Sequence, residues 1–443
     1  MSNKVTPRTL PGFMELLPSE QILFNEMKEK IKKTYEKFGF LPLDTPVIES
    51  SEVLLAKAGG ETEKQIYRFN KGDSDLSLRF DLTVPLAKYV TENYANLNFP
   101  FRRYQIGKVY RGERAQRGRF REFYQCDIDI IGENELSLLN DAELPSVIYA
   151  TFKELGFNDF TISINNRKIL NGLFESLELK DKSVDILRII DKIDKIGKEN
   201  VIKEISDLNV EVDKIDTIMK FISITGDIES TIEQLRNLNI NNELFNIGVN
   251  ELEEVAKNIN LFGVPRENYK IDLTIARGLD YYTGTVYETF INEHRELGSV
   301  CSGGRYDNLA EFYTDKKLPG VGISIGLTRL FFQLVDKNII EAGNNSISEI
   351  MIVSMMEDYA YSIEVATKLR KAGINTQIYT DNAKIKNQFK YASRLNIPYV
   401  IVIGEDEVNQ GKVTIKDMST GEQTLRSLEE VIEILTGDVK KKW

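Results

Sequence analysis

Residues 19–38 (SEQILFNEMKEKIKKTYEKF) place apolar side chains at three- and four-residue intervals, the spacing of an amphipathic helix, with Ser19 as its N-cap. GFLPLDTPVIES follows and reads as a strand broken by Pro42 and Pro46, which confines it to a sheet edge or an interface. LSLRFDLTVPLAKYV predicts a strand running into a helix. Period-two alternation then covers Arg103 to Arg111 and, after the short ERAQRG, Arg119 to Ile131. That pairing predicts a long β-hairpin with a basic tip.

Between about Asn165 and Phe262 the pattern changes to repeated three- and four-residue spacing, as in VDILRIIDKIDKI, with few aromatic residues. This predicts a helical insertion. Strand patterning returns in YKIDLTIARGLDYYTGTVYETF, GSVCSGGRYD and LPGVGISIGLTRLFF. After the polar EAGNNSIS, the apolar runs EIMIVSMM, INTQIYT and PYVIVIG alternate with the amphipathic SIEVATKLRKAG and KIKNQFKYASRLN. Such alternation predicts a small, separate α/β domain with parallel strands.

Composition narrows the class. With 443 residues, 42% hydrophobic and 28% charged, the chain reads as globular with room for two or three domains. No apolar run reaches the twenty or so residues that span a membrane, and MSNKVTPRTLPGFMELLP lacks the features of a signal peptide. Two cysteines, Cys126 and Cys301, make no disulfide framework, so a reducing, cytoplasmic compartment is expected. The single histidine, His294, lies in the polar INEHRELGS and reads as a surface residue. Histidine-dependent nucleophilic catalysis and the usual zinc signatures have little to draw on. The net charge of −11 argues against broad nucleic-acid binding, without excluding a local basic track.

Such a track exists. From Phe101 to Arg121 there are seven arginines and one lysine against a single acid, Glu113. On the second strand of the hairpin, Phe120, Tyr124, Cys126, Ile128 and Ile130 share a largely apolar face with Glu122. Arg119, Arg121, Phe123, Gln125, Asp127 and Asp129 share the other. Arg103, Gln105, Gly107, Val109, Arg111 and Glu113 share one face of the first. A solvated, salt-bridged sheet face is the plain alternative. Such faces favour Lys, Glu and Thr, whereas the cations here are nearly all arginine and a phenylalanine sits among them. Guanidinium groups grip phosphates by two hydrogen bonds and stack on π faces, so a polyanion carrying an aromatic base suits this surface.

GVGISIGLTRLFF agrees. Gly322, Ser324 and Gly326 leave one face of a strand nearly bare, open to a flat ligand or to tight packing, and Arg329 opens the following helix. IARGLDYYTGTVYE adds Arg277 beside Tyr281 and Tyr282, which are core or site residues, and SGGRYD reads as a Gly-Gly turn with Arg305 and Tyr306. Walker-type and strand-linked GxGxxG phosphate loops are absent, so a nucleotide would be held by arginines on a sheet.

At these residues the chain resembles the class II aminoacyl-tRNA synthetases, and among them the histidyl-tRNA synthetase family. TPVIES is similar to the class's dimer-interface motif 1, YRGERAQRGRFREFYQCDIDIIG to motif 2, and GVGISIGLTRL to motif 3. ARGLDYYTGTVYE and SGGRYD resemble the two histidine-specific motifs. The resemblance implies an α+β fold: an antiparallel class II core flanked by helices, a helical insertion and a C-terminal α/β anticodon-binding domain. The expected divisions are residues 1–164 and 266–340 for the core, 165–265 for the insertion and 349–443 for the C-terminal domain.

It further implies ATP-dependent activation of L-histidine and transfer to tRNA(His), by a homodimer using ATP with Mg²⁺ and no zinc. Arg111 would hold the α-phosphate and the substrate carboxylate, with Arg277 as a second cation there. Arg119 and Arg329 would clamp the outer phosphates, while Glu113 and Phe123 would hold the adenine. Asp81, Thr83 and Gln125 match positions for the α-amino group, and Asp129 and Tyr282, with Tyr281 nearby, those for the imidazole. Two positions depart from the usual pattern: Thr328 precedes Arg329 where glutamate is common, and Asp129 stands where many bacterial members carry glutamate. The rival expectation is a non-catalytic paralogue, the regulatory subunit of ATP phosphoribosyltransferase. That family typically lacks the C-terminal domain and the ATP-binding arginines, both of which this sequence has.

Overall fold

The protein is described from a computed structural model covering residues 4–56, 61–114, 118–190, 193–275, 282–308, 310–343, 345–381 and 383–439. It divides into two compact units. One comprises residues 1–14 and 27–337, the other residues 15–26 and 338–443. The helix Pro18–Lys37 therefore contributes to both, which its periodicity alone does not reveal. It begins one residue before the expected cap. Pro18 takes the first helical position, where its missing N–H is no loss, and Glu20 accepts from the Leu17 N–H at 3.0 Å.

The first unit is built on an eight-stranded sheet. Its members are β1 (Leu41–Pro42), β5 (Phe101–Tyr110), β6 (Glu122–Ile131), β7 (Phe160–Asn166), β8 (Tyr269–Ile271), β9 (Thr285–Ile291), β10 (Cys301–Tyr306) and β11 (Gly320–Ile325). Their order is β1-β5-β6-β11-β10-β9-β7-β8. The central pairings are antiparallel; β1 on β5 and β8 on β7 are parallel. The proline-broken stretch is thus split between two sheets. Pro42 ends the edge strand β1, while β2 (Ile48–Ser50) joins β3 (Arg68–Lys71) and β4 (Ser74–Leu78) in a small sheet ordered β2-β4-β3. The region of three- and four-residue spacing is helical from Arg167–Ser176 to Glu243–Leu261.

The second unit carries β12 (Ile350–Ser354), β13 (Thr376–Ile378), β14 (Tyr399–Ile403), β15 (Val413–Asp417) and β16 (Gln423–Arg426), ordered β13-β12-β14-β15-β16. The expected parallel strands are β13, β12 and β14; β15 and β16 add antiparallel pairs, so the sheet is mixed. Ile350 and Ile352 pack with Val365, Leu369, Val431 and Leu435 on one face. Met351 and Val353 pack with Ala392 and Val400 on the other. Helices on both faces explain why these strands read as unbroken apolar runs.

Candidate active site

The hairpin fixes the site. β5 and β6 pair in regular register, setting Arg103 opposite Asp129, Gln105 opposite Asp127, Gly107 opposite Gln125 and Val109 opposite Phe123. Because the side-chain period is two, these residues share one face, and part of it floors a cavity of about 740 Å³. Nine residues singled out from the sequence line that cavity: Asp81, Thr83, Arg111, Glu113, Arg119, Phe123, Gln125, Tyr282 and Arg329. Arg277 and Tyr281 lie outside the described residues, as do positions 115–117 of the hairpin tip.

Six of the seven arginines of the hairpin stretch lie among the described residues, and these divide by task. Arg102 is ion-paired with Glu143 at 2.8 Å and stacks over Phe40. Arg103 is fully buried and pairs with Asp129 at 2.5 Å. The Arg121 Nε donates to the Glu113 carbonyl at 3.0 Å. Arg111, Arg114 and Arg119 line the cavity. The Arg111 guanidinium sits 4.4 Å from the Phe80 ring centroid and 5.1 Å from that of Phe123, and its Nε donates to the Phe80 carbonyl. Two rings and a carbonyl thus fix its orientation before any ligand arrives. Arg119 is mostly exposed, 4.0 Å from Glu113.

Arg329 extends from the first turn of the helix Leu327–Asp336, where its Nη2 donates to the Leu297 carbonyl at 3.0 Å. The preceding Thr328 is buried, and its hydroxyl accepts from the Tyr124 N–H at 2.8 Å. β11 is paired with β6 only as far as Ile325 opposite Cys126, so Tyr124 lies past the end of that ladder. Thr328 takes the place of the missing strand neighbour and ties the helix start to β6.

The bare face of β11 proves to have two uses. At Gly322 an added Cβ would lie 2.2 Å from the Asp129 carboxylate, so this glycine makes room for protein, not for a ligand. At Gly326 the same atom would meet open space, and there the cavity wall is bare. SGGRYD is a strand and not a turn. Gly304 leaves room for the Tyr282 ring, Arg305 forms a buried ion pair with Asp141, and the Tyr306 hydroxyl donates to Asp129 at 2.7 Å.

The cavity lining also includes carboxylates. Asp81 accepts from the Val84 N–H at 3.0 Å at the start of the helix Thr83–Glu92. Burial pushes its carboxyl up from the ordinary range, against the pull of the Val84 N–H and of Arg111. Gln125 donates to Ser324 at 3.0 Å, and its Oε1 has no hydrogen-bond partner among the described residues. Asp129 is buried beneath this surface, held by Arg103 and Tyr306, and is not among the residues lining the cavity.

Asp127, which the sequence reading left unassigned, does line it. Burial raises its carboxyl to about 7, with Arg103 opposing and Asp129 adding to the shift. The signal was present in the alternation, since Asp127 follows Gln125 on the same face. The cavity is therefore one space whose lining combines fixed cations with buried acceptors, a combination that can hold a polyanion against a zwitterion bearing a polar side chain.

The chain matches the family model described as histidyl-tRNA synthetase over residues 12–330, and that described as an anticodon binding domain over residues 349–437. It is 62% identical over 432 residues to a histidine–tRNA ligase of Clostridium tetani, covering 97% of this chain and 98% of that protein. A crystal structure of histidyl-tRNA synthetase from Nostoc sp. PCC 7120 superposes with a TM-score of 0.90 at 38% identity, across 99% of this chain and 100% of the other. An ATP phosphoribosyltransferase regulatory subunit/histidyl-tRNA synthetase from Bacillus halodurans superposes at 0.74 with 23% identity, over 89% and 97% of the two chains, a likeness of fold alone.

Proposed function

Because the chain belongs to the histidyl-tRNA synthetase family, we propose that its cavity activates L-histidine with ATP and passes the histidyl group to tRNA(His). In the first step a carboxylate oxygen of histidine attacks the α-phosphorus of ATP. The acyl–phosphate bond forms as the bond to pyrophosphate breaks. In the second, a ribose hydroxyl at the end of the tRNA attacks the acyl carbon and AMP leaves. Neither step requires a histidine on the protein, which accords with a chain that has only one.

The supporting observation is that three of the expected arginines and the acceptors Asp81, Gln125 and Asp127 line one cavity. Arg111, fixed between Phe80 and Phe123, holds the α-phosphate and the attacking carboxylate together and offsets the charge that develops there. Arg277 supplies a second cation. Arg119 and Arg329 take the outer phosphates of ATP, which enters with Mg²⁺ as part of the substrate. Glu113 and Phe123 hold the adenine. Asp81, Thr83 and Gln125 receive the ammonium group, and Asp129, Tyr281 and Tyr282 form the imidazole end.

Residues 349–437 read the anticodon. Leu41 on β1 and Ile48 on β2 are both exposed, and they support a homodimer through this proline-broken edge. The reaction takes place in the cytoplasm, where its tRNA is used. Three family arginines lining one cavity favour the ligase over a regulatory paralogue that binds histidine without ATP chemistry.

ATP–pyrophosphate exchange with each of the twenty amino acids, without tRNA, tests this reading. Exchange with histidine alone is expected. Histidine binding with no exchange would point to the regulatory paralogue, and sedimentation at the monomer mass would remove the dimer.

A further inference from the structure

The four residues 79–82, which join β4 to the helix Thr83–Glu92, carry two groups of the site yet belong to neither element. We propose that Arg79, the first of them, is a positioning residue for the activation step. It seats the Phe80–Asp81 segment on β5 and, through Phe80, sets the angle of Arg111. The inference rests on the activation reading and adds to it a residue that touches no substrate.

Placement carries the first part of the argument. Arg79 is 2% exposed and is not among the residues lining the cavity, so its guanidinium serves the protein. Its Nε donates to the Lys108 carbonyl at 2.7 Å. Its Nη1 donates to the Thr45 carbonyl at 2.5 Å and to the Thr45 hydroxyl at 3.4 Å. The Asp44 carboxylate lies 3.5 Å away but is mostly exposed, so the buried acceptors fix the group more firmly than this ion pair does. Gly107 supplies the seat. A Cβ there would lie 2.5 Å from the Arg79 Nη2, so the bare position on this face of β5 is filled by the chain's own guanidinium.

The contacts of the four residues carry the second part. Three of their carbonyls turn to β5 or to the residue that follows it. That of Arg79 accepts from the Tyr110 N–H at 3.0 Å, that of Phe80 from the Arg111 Nε at 3.2 Å, and that of Leu82 from the Arg103 Nη2 at 3.3 Å. Phe80 also presents its ring 4.4 Å from the Arg111 guanidinium, and both Phe80 and Asp81 line the cavity. A turn of Phe80 would therefore move the ring and the carbonyl on which Arg111 rests. A short link outside regular structure has many backbone states, and the buried guanidinium fork selects one of them. A displacement of about 1 Å at a group that holds reacting atoms costs about 10²-fold in rate, so a residue remote from the substrate governs the step through its neighbour.

The test is steady-state ATP–pyrophosphate exchange by the full-length protein carrying Arg79→Lys, which keeps the charge and loses the fork. A kcat about 30-fold lower is expected, with a KM for L-histidine about 5-fold higher through Asp81. The KM for ATP should stay within about twofold, because Arg119 and Arg329 are untouched. Constants all within about twofold of wild type, with only the melting temperature lowered, would make Arg79 a purely structural residue and overturn the proposal. Equal rises in both KM values at unchanged kcat would count against it in the same way.

A double-variant cycle reads the route. In an Arg111→Ala background, Arg79→Lys should lower kcat by no more than about a further twofold. An undiminished loss there would show that Arg79 does not act through Arg111, and the proposal would fall. Should Arg79→Lys not fold, Gly107→Ala decides, since its methyl crowds the guanidinium and leaves every partner in place. The same split is then expected with kcat about 10-fold lower, and wild-type constants would refute the assignment. Wild-type protein without histidine-dependent exchange would fail the activation reading itself, a different outcome from variants that behave like wild type.

Discussion

Strands β6 and β12 are both covered by neighbours, yet they bury opposite kinds of side chain. Along its inner half, β6 buries Asp127 and Asp129 among isoleucines, facing Arg103 and Gln105 on β5. β12 buries Ile350, Met351, Ile352 and Val353 in succession. In β12 apolar area is removed from water on both faces, at about 25 cal/mol per Å². Between β5 and β6 a fully buried guanidinium, Arg103, and two carboxylates must be desolvated, and their mutual attraction offsets that cost only in part. Buried charge alone does not mark the site, since Arg305 on β10 is ion-paired with buried Asp141 away from the cavity. On β5 and β6 it coincides with the cavity wall, where Asp127 and Gln125 line the space open to a ligand.

The comparison is broken most sharply at Arg111. Arg111→Ala should lower ATP–pyrophosphate exchange by about 10²–10³-fold, the scale of removing one preorganised donor from developing charge, with melting little changed. Steady-state exchange and thermal denaturation, measured together, check it. In the second unit the signature should invert. Ile352→Ala removes a fully buried side chain from β12 and should destabilise that unit by about 2–5 kcal/mol, measured by denaturant unfolding, while histidine-dependent exchange is preserved. Between these lies Thr328→Val, which strips the acceptor from the Tyr124 N–H. A loss of about 1 kcal/mol is expected, with a rise in the KM for ATP because Arg329 follows directly.

How much of this could be read in the sequence depends on the kind of signal. The β5–β6 hairpin was legible because alternation over ten residues per strand fixes both pairing and face. The helical stretch and the parallel strands of the second unit were legible for similar reasons. β15 and β16 were not assigned as strands, since VTIKD and QTLR are short, polar and half-exposed. The passage of helix Pro18–Lys37 between units and the small β2-β4-β3 sheet depend on tertiary contacts that no local pattern encodes.

At the site, the cavity gathers Asp81, Thr83, Arg111 and Gln125, but the arginine-rich stretch misled in one respect. Arg102, Arg103 and Arg121 serve the protein's own carboxylates, rings and carbonyls, and only contacts distinguish them from the arginines that face the cavity. The openness of Asp127 was equally invisible, because the sequence shows an acid and not which of its oxygens lacks a partner.

The central claim is that β6 holds its charge at the expense of stability, for the sake of a substrate. Asp127 titrates near 7 in the folded chain against 3.8 for the free group. Between those values the folded state binds the extra proton, so stability falls as pH rises from about 4 through 7. Asp127→Asn removes this penalty, which is present above pH 7 and absent at pH 4. Melting temperatures of wild type and Asp127→Asn at pH 4 and pH 7.5 test the claim directly. The account predicts a variant about 2 °C more stable at pH 7.5, with the gain gone at pH 4. A variant that melts lower than wild type at pH 7.5 would contradict it, and would make Asp127 a structural acid.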